Sequence, residues 1–228
     1  MFASVMAECE DRVHEVDVFF ALLRAVESNT IKPRPGTGPS LPPEWIRILK
    51  GTAYLVLYNL VEAFVRRGFE AIFESIKSDK LCGIDLTATL RDQWIMQKNR
   101  EVKAFDGSPK VYMRIAGEIV REISGKKVAY MQKHLLPFPG NLDAESIRKV
   151  CSNHGVTVTL PPASKGGGVI KRIKQKRNAL GHGDESFAEC GRAVTVADLV
   201  QTKREIVLYM RGLLQSLKDF SDSKGYKA

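Results

Sequence analysis

Arg177-Asn178-Ala179-Leu180-Gly181-His182 puts a permanent cation, an amide and a titratable imidazole within six residues. A phosphodiester-cleaving site needs a group that moves a proton near neutral pH and a cation that stabilises charge on the phosphate. Histidine supplies the first, and the planar fork of arginine supplies the second. Such a site requires no metal and no cofactor. Other chemistries are less well served. His14, His134, His154 and His182 fall in no H-E-x-x-H or Cys/His zinc spacing, and the glycines at 166 to 168 lack the Gly-Lys-Ser/Thr ending of a phosphate-binding loop. There is no G-x-S-x-G elbow, and Cys151 with His154 is a pairing without further support. Spacing alone decides little, because Arg148 and His154 nearly repeat it. The plain structural alternative for His182 is a histidine that closes a helix.

The elements that must position these groups read as helices. Apolar residues at three- and four-residue spacing predict helices over about Ala7 to Ser28, Glu44 to Ser78, Leu86 to Glu101 (with Asp85 and Thr87 as caps) and Lys110 to Ser124. Asp106-Gly107-Ser108-Pro109 is a turn, and Asp143 caps a short helix through Val150 that Gly155 ends. The helix of interest runs from about Val169 to Leu180, with Gly181 and Gly183 around His182. A last helix opens at the capping-box-like Thr195-Val196-Ala197-Asp198. Val156 to Leu160 alternates β-branched and apolar residues and is the one candidate strand or hairpin arm. The chain is therefore all-α with irregular loops, a single domain over 1–228. Within it, 29–43 is a Pro-rich loop, 156–168 a mobile loop and 221–228 a polar tail.

Two placements strengthen the Arg177 cluster. Ile170, Ile173 and Leu180 share a helix face with Arg177, so its guanidinium needs a partner, whereas Lys171, Arg172, Lys174 and Lys176 can point to solvent and bind RNA phosphates. On the second helix, Glu62 falls on the face of Leu55, Tyr58, Val65 and Phe69. A carboxylate there must be paired or line a polar cleft, because burying it alone costs several kcal/mol. Either a core ion pair or a site residue satisfies that demand.

The formal charge is +9 over 228 residues, and its placement is more telling than its size. No acid occurs between Glu145 and Asp184, a window holding the eight positives Arg148, Lys149, Lys165, Lys171, Arg172, Lys174, Lys176 and Arg177. A concentrated basic segment suggests a polyanion partner; a solvated helix face is the bland alternative. Four scattered cysteines with no C-x-x-C pair read as reduced thiols. The opening Met1-Phe2-Ala3-Ser4 runs into Glu8, Glu10 and Asp11, unlike a secretory leader. The longest apolar run, Ala53 to Val65, is interrupted by Asn59 and Glu62 and is too short to span a bilayer. These features lead us to expect a cytoplasmic protein without a membrane partner.

The stretch Arg177-Asn178-Ala179-Leu180-Gly181-His182-Gly183 resembles the R-N-x-x-x-H signature of the HEPN superfamily. Tyr54-Leu55-Val56-Leu57-Tyr58-Asn59-Leu60-Val61-Glu62, Gly140-Asn141-Leu142-Asp143 and Ile147-Arg148 are similar to the MAE-like HEPN endonuclease family, in the same order along the chain. The resemblance implies an up-and-down helical bundle that forms a homodimer, with two Arg/His pairs facing one cleft. It also implies metal-independent cleavage of RNA, in which the ribose 2′-OH attacks its own phosphate. Carried onto this chain, Arg177 stabilises the scissile phosphate and His182 transfers a proton. Asn178 orients the histidine or contacts substrate, and Glu62 holds Arg177 or tunes His182. The resemblance further implies a toxin or phage-defence effector, with an antitoxin or another defence-system protein as a partner. Non-catalytic RNA- or nucleotide-binding HEPN dimers are the alternative within the same superfamily. Toxins of this class paired with a nucleotidyltransferase antitoxin often carry a modified Tyr two residues after the His, a place taken here by Asp184, which argues against regulation by that route.

Overall fold

The molecule is built around one long helix. The computed structural model describes residues 2–30, 41–103, 108–131 and 141–228, so most of the Pro-rich loop, the Asp106-Gly107 turn, His134 and Gly140 lie outside the described residues. Helix α2, Pro43–Ser78, starts with Pro at its first position and runs 36 residues without a break. Proline is suited to that position because its missing N–H is not needed in the first turn. Its buried side chains include Tyr54, Leu57, Tyr58, Val61, Phe64, Val65, Phe69 and Ile72. Onto it pack α1 (Phe2–Glu27), α6 (Gly168–His182), α7 (Phe187–Arg192) and α8 (Val196–Asp222). Helices α3 (Ala88–Lys103), α4 (Pro109–Ser124) and α5 (Ala144–Asn153) complete an all-α bundle, with no named strand among the described residues. By length and composition α2 could cross a membrane, and half of its most apolar stretch is buried inside the protein.

The caps account for much of the phrasing. Asp143 accepts from the Ser146 N–H at 2.8 Å while its own N–H donates to Ser146 Oγ, and Thr195 and Asp198 form the equivalent box at the start of α8. Ser186 and Glu189 make a third box that starts α7, a six-residue helix that periodicity does not reveal. Asp85 does not cap α3. It accepts from the Cys82 N–H and closes a separate 3-10 turn, Gly83–Asp85.

Helix α7 approaches α2 backbone to backbone. A Cβ on Gly191 would lie 1.9 Å from the Arg47 carbonyl oxygen, and one on Gly51 would lie 2.3 Å from that of Phe187. Neither contact can be relieved by a rotamer change. Gly191→Ala is therefore expected to destabilise the fold by about 2–3 kcal/mol, read as a lower midpoint in urea unfolding. A loss below about 0.5 kcal/mol would mean the two helices do not meet this closely.

Three segments differ from the sequence reading. The candidate strand at Val156 to Leu160 forms no strand among the described residues; instead the Thr159 N–H donates to Ser216 Oγ on α8 at 3.0 Å. The loop continuing to Gly168 is packed down: Pro162–Gly167 form 3-10 turns, and Ser164 and Gly167 are buried. Gly167 has φ +75°, and a Cβ there would meet the Tyr209 ring at 2.6 Å, so both conformation and space require glycine. The polar tail is docked. Tyr226 is buried, its hydroxyl donates to Asp79 at 2.9 Å, and the Ala228 N–H donates to the Asp85 carbonyl at 2.8 Å.

Candidate functional site

Helix α6 begins after left-handed Gly167 and stays helical through His182, where left-handed Gly183 (φ +78°) closes it. Ile170, Ile173 and Leu180 are buried, and anchoring that face turns Arg177 toward α2. Its guanidinium lies over the Tyr58 ring at 4.3 Å. One amino group donates to Glu62 Oε1 at 3.3 Å, the other to Asn178 Oδ1 at 2.9 Å. Asn178 in turn donates to Asn141 Oδ1 at 2.8 Å. The Arg177 and Glu62 side chains keep 28% and 25% of their surface exposed, so a ligand can still reach the pair.

In the sequence, Tyr58 and Asn141 belong to stretches that carry the family resemblance, without a role at the site. The signal for Tyr58 was its place one turn before Glu62 on the same stripe. Its hydroxyl accepts the Leu142 N–H at 2.7 Å, which fastens the segment carrying Asn141 to α2. Burial pushes the Tyr58 hydroxyl above its usual range, and the Glu62 carboxylate adds to that. The ring is thus a neutral platform under the guanidinium.

His182 is the exposed last residue of α6 and makes no hydrogen bond or ion pair among the described residues. It lies four residues after Asn178, on the same helical side. Five residues of regular helix place it about 140° around the axis from Arg177, so one copy does not bring the imidazole and the guanidinium to a common point. The Arg148/His154 pair differs in kind. His154 is buried, its Nδ1 lies 2.8 Å from the Val150 carbonyl and its ring meets Phe69 edge-on. Burial pushes the neighbouring Cys151 thiol up to about 12, leaving little thiolate for nucleophilic work.

The basic window is less open than the sequence suggests. Lys174 is paired with Asp143 and Lys176 with both oxygens of Glu185, so these two half-buried lysines do not simply point to solvent. Lys165 pairs with Glu205 at 2.6 Å, and Arg177 with Glu62. Acids from outside the window thus neutralise four of its eight cations, leaving Arg148, Lys149, Lys171 and Arg172. Arg172 donates to Thr202 Oγ1 at 2.8 Å, and Lys171 is exposed.

Asp143 links this charge to stability. Burial alone would raise its carboxyl, but the Lys174 ammonium and the Ser146 N–H and hydroxyl outweigh that and hold it at about 2. A depressed folded value stabilises above the unfolded value near 4 and is lost as pH falls toward 2. Asp143→Asn should therefore cost roughly 1–2 kcal/mol at neutral pH, with the difference closing between about pH 4 and pH 2 in denaturant titrations. A difference independent of pH would contradict this.

An all-α bundle that presents R-N-x-x-x-H at the end of one helix, its arginine held by an acid on another, defines a HEPN-type domain. The family model described as HEPN_MAE_28990-like HEPN matches residues 1–226, and the chain belongs to this family. No curated protein and no solved structure matches it significantly.

Proposed function

We propose that this chain is a metal-independent endoribonuclease that works as a homodimer, with Arg177, Asn178, Glu62 and His182 as its site. The observation that carries the reading is the pairing of Arg177 with Glu62 over Tyr58, five residues before an exposed and unengaged His182. Arginine in such a setting is oriented and still partly exposed, as a phosphate-binding group must be.

The reaction is an internal transesterification. A neutral His182 imidazole takes the proton of the ribose 2′-OH, and the 2′-oxygen attacks the adjacent phosphorus. The phosphorus–O5′ bond breaks, and the leaving oxygen takes a proton from an imidazolium. Arg177 stabilises the extra negative charge on the five-coordinate phosphate. The products are a 2′,3′-cyclic phosphate and a 5′-hydroxyl. Because Arg177 and His182 diverge within one copy, a second copy supplies the complementary histidine across a shared cleft. Lys171 and Arg172 serve the flanking phosphates, while Lys174 and Lys176 act there only if substrate displaces Asp143 and Glu185. The superfamily resemblance supports a cytoplasmic role as a toxin or phage-defence effector.

The test is cleavage in excess EDTA of an RNA oligonucleotide and of the same oligonucleotide carrying 2′-deoxyribose. RNA should be cut and the deoxy strand should survive. Intact RNA would overturn the reading.

A further inference from the structure

A cleft of about 320 Å³ lies between α1 and α2, lined among others by Arg12, Glu15, Val16, Phe19, Val56 and Asn59. Its polar groups are under-used. Arg12 Nε is buried without a hydrogen-bond partner, and the Arg12 amino group reaches Glu8 only at 3.5 Å. Exposed Glu15 and Asn59 make no hydrogen bond or ion pair among the described residues. Phe19 is half-buried, with its ring edge-on to Phe20 at 5.8 Å.

Arg12 and Glu15 are three residues apart on α1 and so share a helix side. Together they offer a donor-only fork beside an acceptor-only carboxylate, with an aromatic ring nearby. That sequence of donors and acceptors fits one nucleobase best. Guanine presents O6 and N7 to an arginine, and its N1–H and N2 amino group together donate to one carboxylate. Adenine and cytosine each place an amino donor where the guanidinium would need an acceptor. Uracil offers the carboxylate a single N–H. The carboxylate also argues against a phosphate occupant.

The cleft shares helix α2 with the Arg177 cluster. Asn59, in its lining, is three residues before Glu62, with about 5–6 Å between Cβ atoms at that spacing, so one exposed strip of α2 connects the two. We propose that this cleft is the base-recognition subsite of the same RNA site, and that the base it takes is guanine. The proposal rests on the endoribonuclease reading, and its test separates the two.

The full-length His182→Ala protein is titrated with two RNA heptamers, seven adenosines and the same strand with guanosine at the centre. The guanosine strand should bind about tenfold tighter. Glu15→Gln, added to His182→Ala at an exposed position, should shrink that preference to below about threefold without changing the all-adenosine affinity. Arg12→Met should do the same. Equal affinity for the two strands, no binding of either, or a preference that survives both substitutions would overturn the subsite. Cleavage by the wild-type protein in EDTA is scored separately. Guanine preference without cleavage leaves the subsite standing and removes the nuclease reading. Cleavage whose positions ignore guanine, and do not move in Glu15→Gln, does the reverse.

Discussion

His182→Ala is expected to lower RNA cleavage by about 100-fold or more while changing stability by no more than about 0.5 kcal/mol. The two halves of that expectation come from different facts. The loss of rate follows from removing the side chain at the site able to carry a proton near neutral pH. The silence in stability follows from exposure: His182 is the last residue of α6 and makes no hydrogen bond or ion pair among the described residues, while Gly183, not His182, supplies the left-handed closure of the helix. A variant with full activity removes the imidazole from the mechanism. A variant that melts early would make His182 a structural cap, and any loss of rate would then be indirect.

The second large effect is at Arg177. Arg177→Lys keeps the charge but removes the fork that addresses Glu62 and Asn178 at once and the flat group that lies on Tyr58. We expect kcat to fall by about 100-fold, with KM little changed. Partly exposed ion pairs are screened by solvent, so the stability cost should stay near or below about 1 kcal/mol. Glu62→Gln should be milder, about tenfold in kcat, because it loosens the guanidinium without removing it. If Arg177→Lys retains activity while Glu62→Gln destroys it, the carboxylate is itself a proton carrier and the roles assigned here are exchanged.

Much of this arrangement is legible in the sequence because it breaks a local pattern. Glu62 stands on an apolar stripe of α2, and Arg177 shares a face with Ile170, Ile173 and Leu180; two such misfits of opposite charge are each other's natural partner. The structure pairs them at 3.3 Å. Asp143 and Thr195 announce their helices through side-chain chemistry that is local by nature. What the sequence hides is set by residues far along the chain. The acid-free window looks uniformly basic because Asp143, Glu185, Glu205 and Glu62, which neutralise half of it, all lie outside it. Tyr226 sits in a polar tail, yet its ring is buried against Phe220 and its hydroxyl donates to Asp79 at the end of α2. Helix α7 is too short to show a period. Its Ser186-x-x-Glu189 box is the one local sign of it, and the Gly51/Gly191 contact that seats it on α2 exists only in three dimensions.

The divergence of Arg177 and His182 by about 140° on a regular helix also bears on how the site is completed. An α6 that tightened or broke before His182 could have joined them within one chain. It does neither, since α6 continues to His182 and closes at Gly183. A complete site of the proposed kind therefore needs two copies, and activity should fall with dilution below the dissociation constant of such a dimer.

The chemistry of the cut ends is the most direct measurement of the central claim. RNA treated with the protein in EDTA should carry 2′,3′-cyclic phosphates and 5′-hydroxyls, and Arg177→Lys or His182→Ala should leave it intact. Ends bearing 5′-phosphates and 3′-hydroxyls would show water, not the 2′-OH, as the nucleophile and would contradict the site described for Arg177 and His182.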